Sequence, residues 1–547
     1  RGYPSFTLVG HADVHLGALA ALTPDLTLPV ARRVAQNLQE LSLGAAPADL
    51  PVLLAAASAP LVNGRTAARL GWEPDARVRM EAGILFPEAL ADIPDTLSLD
   101  GAMRLAPEGN TSYRISEARY EAADHEVGRA RGPLLPQVIG DASYLDLDPE
   151  TLAGLVPEKT AALGLSVSQM LYDDRRVSEW RASKRLRDSE AGRREAVRLD
   201  VLRDAGSRFL ELGLAEILVR IQLDNVRLTE DNLGLARRRF DVGYSGRDEV
   251  YRWEAQVATE RSTLLARESE LEAARIRLNQ TLGVEQDRKW SMVEVTVDPD
   301  VFPLFGGRLD PVYSDPRLWR EFPEAAVRLA RENAPELASL ESSIEAGGIR
   351  LGQTKRSFLV PSLTFGFRYR YFLDRDPDFP DAPDDFQSLE LAARLPLLEG
   401  GRRIYDVRKT SAQLVELERS HDLAAEEVER RVRTAAQRTA SSFPAVGLTR
   451  TAADAATRNL GVVQDKYAQG LVNVTDLLDA QNQANQSNQA AAGSVYRHTL
   501  DLVDLQRAIG WFELEHTPAE RDSLVARIRE EIVAIRSART GAEEEAR

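Results

Sequence analysis

A chain of 547 residues is too long for one ordinary core, and its 43% hydrophobic and 28% charged residues describe an ordered protein. The formal net charge of −16 argues against a nucleic-acid partner, because phosphate recognition needs concentrated Lys and Arg. With no Cys, disulfides, thiolate metal sites and a Cys nucleophile are excluded.

The chain opens on Arg1 without a leader of basic, apolar and small residues, so it reads as processed or as a fragment. Residues 1–94 differ in character from the rest. Arg32–Leu41 predicts a helix, Leu50–Ala55 and Leu61–Asn63 predict strands, and Thr66–Leu70 predicts a helix stopped at Gly71. The run Gly44-Ala45-Ala46-Pro47-Ala48-Asp49-Leu50-Pro51, with Val62-Asn63 and Thr66 to Gly71, resembles the closing portion of a periplasmic substrate-binding protein of ABC transporters. A cleft in that two-lobed fold needs both lobes, so solute binding is not assigned. His11 and His15 could share a helix face, but a third ligand is missing and no metal or cofactor is expected. Phosphate loops, zinc-protease helices, dinucleotide fingerprints and nucleophile elbows are all missing, so the chain reads as a non-enzyme.

From residue 95 onward an internal repeat organises the sequence. Asn232-Leu233-Gly234 recurs as Asn459-Leu460-Gly461, 227 positions later. The same offset carries Phe240 to Tyr467, Gly243 to Gly470, Gln256 to Gln483 and Gly283 to Gly510. Two unrelated amphipathic helices would match apolar positions but not the glycines as well. Upstream, Ala102–Ala106 answers Ala326–Ala330, and Leu165–Arg176 answers Leu391–Arg402. The units are 95–298 and 324–515, joined by a connector, 299–323, whose prolines predict that no helix crosses it, and followed by a tail, 516–547.

Each copy reads as helix, strand, loop, strand and very long helix. Asp174–Val242 is proline-free and dense in Ala, Leu, Arg and Glu, so it predicts one helix of roughly 100 Å at 1.5 Å per residue. Gly243 and Gly470 predict the turns into return helices, and a second proline-free run spans Ala445–Thr517. The tail beyond Ser537 is expected to be solvated and disordered.

No stretch approaches the ~20 apolar residues of a spanning helix, so any membrane crossing must use strands closed into a barrel. In the second copy Leu363, Phe365, Phe367, Tyr369 and Tyr371 alternate with Ser362, Thr364, Gly366, Arg368 and Arg370, which is the pattern of a strand facing lipid on one side. Leu389–Leu397 is its partner across the loop Asp374–Phe386, and the first copy offers a weaker pair, Leu135–Tyr144 and Ala162–Leu171, across Asp146–Lys159. Four strands per chain are too few to close, whereas three protomers would supply twelve.

The run Tyr467-Ala468-Gln469-Gly470, then Val474-Thr475-Asp476-Leu477-Leu478-Asp479-Ala480-Gln481, closing at Ala508-Ile509-Gly510, resembles the TolC family of outer-membrane efflux and secretion proteins. Its first-copy counterpart, and the strand-flanking Leu134-Leu135-Pro136-Gln137 and Leu395-Pro396-Leu397-Leu398-Glu399-Gly400-Gly401, fit the same family over about residues 96–547. The resemblance implies a mainly α fold in which tandem long-helix hairpins form, as a homotrimer, a periplasmic tunnel continued by a 12-stranded outer-membrane barrel. It implies a passive duct working with a periplasmic adaptor (membrane fusion) protein and an inner-membrane transporter, the ABC type being one candidate. Asp476 and Asp479 match the acids ringing the constricted end, and Tyr467 matches an aromatic that holds the gate shut. Val472 stands where the family's gate has Arg, so Arg247, Asp248 and Glu249 become candidates for another linkage. The rival expectations are a soluble periplasmic coiled-coil adaptor or scaffold, and a solute-binding protein built on residues 1–94. For Asp476 and Asp479 the rival role is local, complementing the helix dipole.

Overall fold

The computed structural model describes residues 96–146, 159–293, 295, 316–375 and 383–545, with short pieces nearer the start at 6–7, 14, 18–21, 61–69 and 83–85. Leu61–Asn63 lies between Ala20–Ala21, antiparallel to it, and Gly83–Leu85, parallel to it, and helix Gly64–Arg69 follows directly. Asn63 joins these pieces, donating from Nδ2 to the Val14 carbonyl at 2.6 Å while its Oδ1 accepts from the Thr66 N–H at 3.1 Å. The expectations for Arg32–Leu41, Leu50–Ala55, His11 and His15 lie outside the described residues.

The first copy contains α1 (Leu99–Gly109), α2 (Thr111–Arg131), β1 (Gln137–Asp146), β2 (Lys159–Tyr172), α3 (Asp174–Asp241) and α4 (Arg247–Leu282). The second contains α5 (Pro316–Asn333), α6 (Pro335–Arg356), β3 (Ser362–Arg375), β4 (Asp385–Arg394), α7 (Arg402–Ala468) and α8 (Val474–Ile509), followed by α9 (Pro518–Glu545). α3 has 68 residues and α7 has 67, so each extends roughly 100 Å. α3 starts where Asp173 caps it, accepting from the N–H groups of Arg175 at 2.9 Å and Arg176 at 3.4 Å.

The duplication extends to individual backbone hydrogen bonds. Gly243 sits at φ 81° and donates to the Phe240 carbonyl, while Tyr244 donates to Arg239; Gly470, at φ 76°, donates to Tyr467 and Leu471 donates to Lys466. A left-handed residue at these helix ends lets two orphan carbonyls find donors, which glycine does without a Cβ clash. The return helices end in the same way at Gly283 and Gly510.

α3 packs along α2, α4, α6 and α8, so the two copies share one helical layer. Half-way along, one core gathers Met103, Leu202, Phe209, Leu278 and Leu282 from the first copy with Val503 of α8. A second gathers Phe322, Leu329, Val432, Leu502, Ile509, Ile528 and Ile532 from α5, α7, α8 and α9. Beyond this middle layer the long helices reach the strands at one end and the glycine turns at the other.

Two sequence expectations are corrected. The described end of the proline-rich connector is helical: α5 opens on Pro316, where a missing N–H costs nothing, and runs on through Pro323. An interior proline costs ~3 kcal/mol or more, but Phe322, Ala325, Ala326 and Ala330 are wholly buried beside it, and Trp319 stacks on Phe322 at 5.0 Å. Proline is tolerated again in α7, which begins at Arg402, upstream of the proline-free run, and passes through Pro444. Just upstream of Pro444, the hydroxyls of Ser441 and Ser442 donate to the Arg438 and Thr439 carbonyls. Finally, the segment after Ser537 continues α9 to Glu545 instead of ending the order. α9 is held by Ile528, Ile532 and Ile535 in the core and by ion pairs of Arg527 with Glu332 at 2.6 Å and Arg539 with Glu321 at 3.0 Å.

Candidate functional site

At the strand end the four strands form one antiparallel sheet in the order β4-β3-β2-β1. Residues opposed in a ladder share a face. Phe367 is opposed by Leu389 and Val167, Phe365 by Leu391, Tyr369 by Leu165 and Tyr371 by Leu163. Val138, Gly140 and Ala142 of β1 oppose Val167, Leu165 and Leu163. The register therefore collects Leu363, Phe365, Phe367, Tyr369 and Tyr371 with the apolar positions of the other strands on a single side. Leu389 is 71% exposed and Leu391 is 68% exposed in the single chain, so no described element packs over that part of the side. The opposite face is mainly polar, with Asp141, Ser166, Ser168, Arg368, Arg370, Glu390 and Arg394, and includes Ile139, Met170 and Phe386. Among the described residues β1 and β4 are unpaired edges, and all ten residues of β1 are exposed.

At the turn end, side chains from the two copies meet. Tyr467 is fully buried and its hydroxyl donates to Glu249 Oε1 while accepting from Trp253 Nε1 at 3.3 Å. The Arg239 guanidinium lies 4.4 Å from the Tyr467 ring centroid and also donates to the Tyr467 carbonyl. Burial, and next the bond to Glu249, push the Tyr467 phenol up to about 12, against the opposing pull of Trp253 and Arg239. Leu477, Ala480, Val250 and Ala236 complete the apolar surround, with Val472 packed at its margin. Val472 thus contributes contact where a gate arginine was sought.

Asp476 and Asp479 occupy the first turns of α8 and both are exposed. Asp476 closes a capping box with Asn473: its Oδ2 accepts from the Asn473 N–H at 3.1 Å and its own N–H donates to Asn473 Oδ1 at 3.0 Å. The structure brings Tyr467 and Glu249 together and leaves Asp476 and Asp479 outside that contact. Next to them Arg252 donates to Thr475 Oγ1 at 3.1 Å, a bridge between the starts of α4 and α8.

Sequence reasoning missed Trp253, Arg239 and a buried polar clamp above them. Gln481 is 2% exposed; its Nε2 donates to Asn225 Oδ1 at 2.9 Å and Thr229 Oγ1 at 2.6 Å, and its Oε1 accepts from Asn232 Nδ2 at 3.0 Å. Three partners on α3 fix the register of α8 against it. The available signal was the repeat itself, because Trp253 and Ala480 are equivalent positions, one very large and one small.

In the middle layer, Arg507 of α8 donates to Asp200 of α3 at 2.7 Å and to Glu336 of α6 at 2.8 Å. His498, almost fully buried, shares a hydrogen bond of 3.0 Å with Ser442, and burial pushes its imidazole down to about 4. Asp501, one helical turn away, is raised by burial, against an opposing pull from Ser442. Among the described residues no cluster of three or more His, Asp or Glu is placed to hold a metal, and no helix is long and apolar enough to cross a membrane.

A family model described as outer membrane efflux protein matches residues 103–284 and 326–511. The outer membrane efflux protein BepC of Brucella suis biovar 1 (strain 1330) is 22% identical over 389 residues, 70% of this chain and 79% of the relative. The outer membrane protein TolC of Escherichia coli (strain K12) is 21% identical over 412 residues, 73% of this chain and 80% of the relative. Among solved structures, the outer membrane protein VceC of Vibrio cholerae superposes with a TM-score of 0.63 at 15% identity, covering 76% of this chain and 96% of that one. CusC superposes with a TM-score of 0.61 at 15% identity, covering 76% and 92%; at such identities these likenesses speak to the fold.

Proposed function

This chain belongs to the outer membrane efflux protein family, the TolC family, and from that premise we propose that it is a passive exit duct working as a trimer. The observation that carries this reading is the sheet, apolar on one face, mainly polar on the other and, among the described residues, open at both edges. An unpaired edge in lipid leaves backbone groups without partners, so the edges must be closed by other chains. β1 and β4 run antiparallel to each other, so β4 of one copy can pair with β1 of the next without breaking the all-antiparallel order. Four strands fall short of the smallest membrane barrel, and three copies give an even twelve. The long helices then continue the bore through the periplasm. A soluble coiled-coil scaffold would share those helices but would have no use for the exposed apolar face.

The turn end is the gate in this reading. Tyr467, locked onto Glu249 and Trp253 of the same chain, holds the two copies' helix ends together, and packing replaces the linkage that Val472 cannot make. Asp476 and Asp479 ring the narrow entrance, where Asp476 keeps its capping role through one oxygen. Transport energy comes from an inner-membrane transporter, joined to the duct by a periplasmic adaptor protein.

Light scattering in detergent tests the assembly, with three protomers per particle expected. A stable monomer soluble without detergent would reject the barrel. For the entrance, Asp476→Asn with Asp479→Asn should weaken cation preference in single-channel recordings, since charge in a low-dielectric constriction focuses the field. Unchanged selectivity would reduce both acids to solvated helix residues.

A further inference from the structure

The polar face of the sheet carries three arginines, Arg368 and Arg370 on β3 and Arg394 on β4. Along the helices, arginines are commonly neutralised by an acid three residues away, as Arg129 is by Glu126, Arg193 by Glu190 and Arg430 by Glu427. On the sheet the only ion pair among the described residues is Lys159 with Asp146, at 4.0 Å beside the loop. None of the three arginines takes part in it. Arg370 Nε is buried without a partner.

The register explains why these charges stay uncompensated. In its own rung Arg368 faces Ser166 and Ser388, which offer hydroxyls and no countercharge. Arg370 faces Gly164, and Gly164 in turn faces Asp141. The Asp141 carboxylate lies over that glycine, where an added Cβ would come within 2.5 Å of Oδ1, so a larger residue there would displace it. Glu390 sits in the next rung, opposite Gly366. Among the described residues in the regular register, three arginines outnumber the two acids of this face, Asp141 and Glu390.

We propose that Arg368, Arg370 and Arg394 form a binding station for multivalent anions at the strand end of the bore, an inference that rests on the duct reading above. Guanidinium groups present forked donors that match phosphate, sulfate and carboxylate oxygens two at a time. Repeated around a trimer axis inside a low-dielectric wall, they concentrate positive potential where the acidic entrance concentrates negative potential. The duct then has two stations of opposite sign, and an anion repelled at the entrance is held once past it.

The test uses the purified full-length trimer in planar bilayers, with inositol hexakisphosphate added to the side of the strand loops. Voltage-dependent block from that side is expected, and Arg368→Gln with Arg370→Gln should raise the half-blocking concentration at least tenfold. Asp476→Asn with Asp479→Asn should leave this block unchanged. Conducting trimers that are not blocked, or that are blocked equally in the arginine variant, would overturn the anion station while leaving the duct standing. Failure to obtain any conducting trimer would instead overturn the duct, and the station with it.

Discussion

The two ends of the molecule are held by different kinds of interaction. At the strand end, backbone ladders join β1, β2, β3 and β4, with register shifts only near the two ends of the β2–β3 pair, and most side chains are left uncovered. At the turn end the copies meet through a few buried side chains, Tyr467 with Glu249 and Trp253, and Gln481 with three residues of α3. A ladder tolerates most side chains provided each suits the medium on its face. A buried side-chain clamp tolerates almost no change of shape. The strand end should therefore fail by polarity and the turn end by cavity or lost partner.

The largest effect should come from Trp253→Ala. Removing a fully buried tryptophan costs ~3–5 kcal/mol, and here it also strips Tyr467 of a donor. Hydrogen exchange should quicken at the starts of α4 and α8 while strand amides stay protected; equal loss at both ends would dissolve the contrast. Next comes Phe367→Arg, where an arginine on a lipid-facing side costs ~2–4 kcal/mol at mid-membrane, against little for Thr364→Arg on the other face. The yield of assembled protein in outer membranes measures the pair, and similar losses in both would merge the two faces.

A smaller change, ~1–3 kcal/mol, is expected for Gln481→Ala, which leaves buried groups of Asn225, Thr229 and Asn232 short of a partner. Its exchange signature should be confined to the turn half of α3 and α8. The smallest effect belongs to the middle layer and to pH. His498 is held neutral in the fold, so its share of stability is complete above about 6.5, its ordinary value, and is lost as pH falls toward about 4. Asp501, raised by burial, acts in the opposite sense over acid pH, so the two partly cancel. Thermal melting followed from neutral to acid pH should show a modest decline that His498→Gln flattens.

Much of this architecture was legible in the sequence because it repeats. The glycines at 243 and 470, and again at 283 and 510, need left-handed backbone, and no drift of apolar residues would preserve them in step. Alternation was plain in β3, where aromatics and arginines separate cleanly, and faint in β1, where Val138 and Ile139 are neighbours and an apolar residue falls on each face. Proline misled the reading. Pro323 and Pro444 would break an isolated helix, yet both sit in helices that neighbouring helices hold in place. Trp253 and Gln481 stayed invisible because their partners lie 214 and 249 residues away, and only the packing of one copy against the other brings them within reach.

The two bare edges of the sheet also bear on how the protein comes into being. In the proposed trimer a single chain has no way to finish its own strand end, so folding there and meeting another chain become parts of one event, and stability becomes a function of protomer concentration. Until that meeting, β1 offers ten exposed residues of unpaired ladder to any other strand in the compartment, a template for mispairing as much as for assembly. Lowering expression should therefore reduce mature particles more steeply than it reduces chains. A short peptide copying β4 would be expected to cap β1 and stall the process, and its potency should fade once closure is complete.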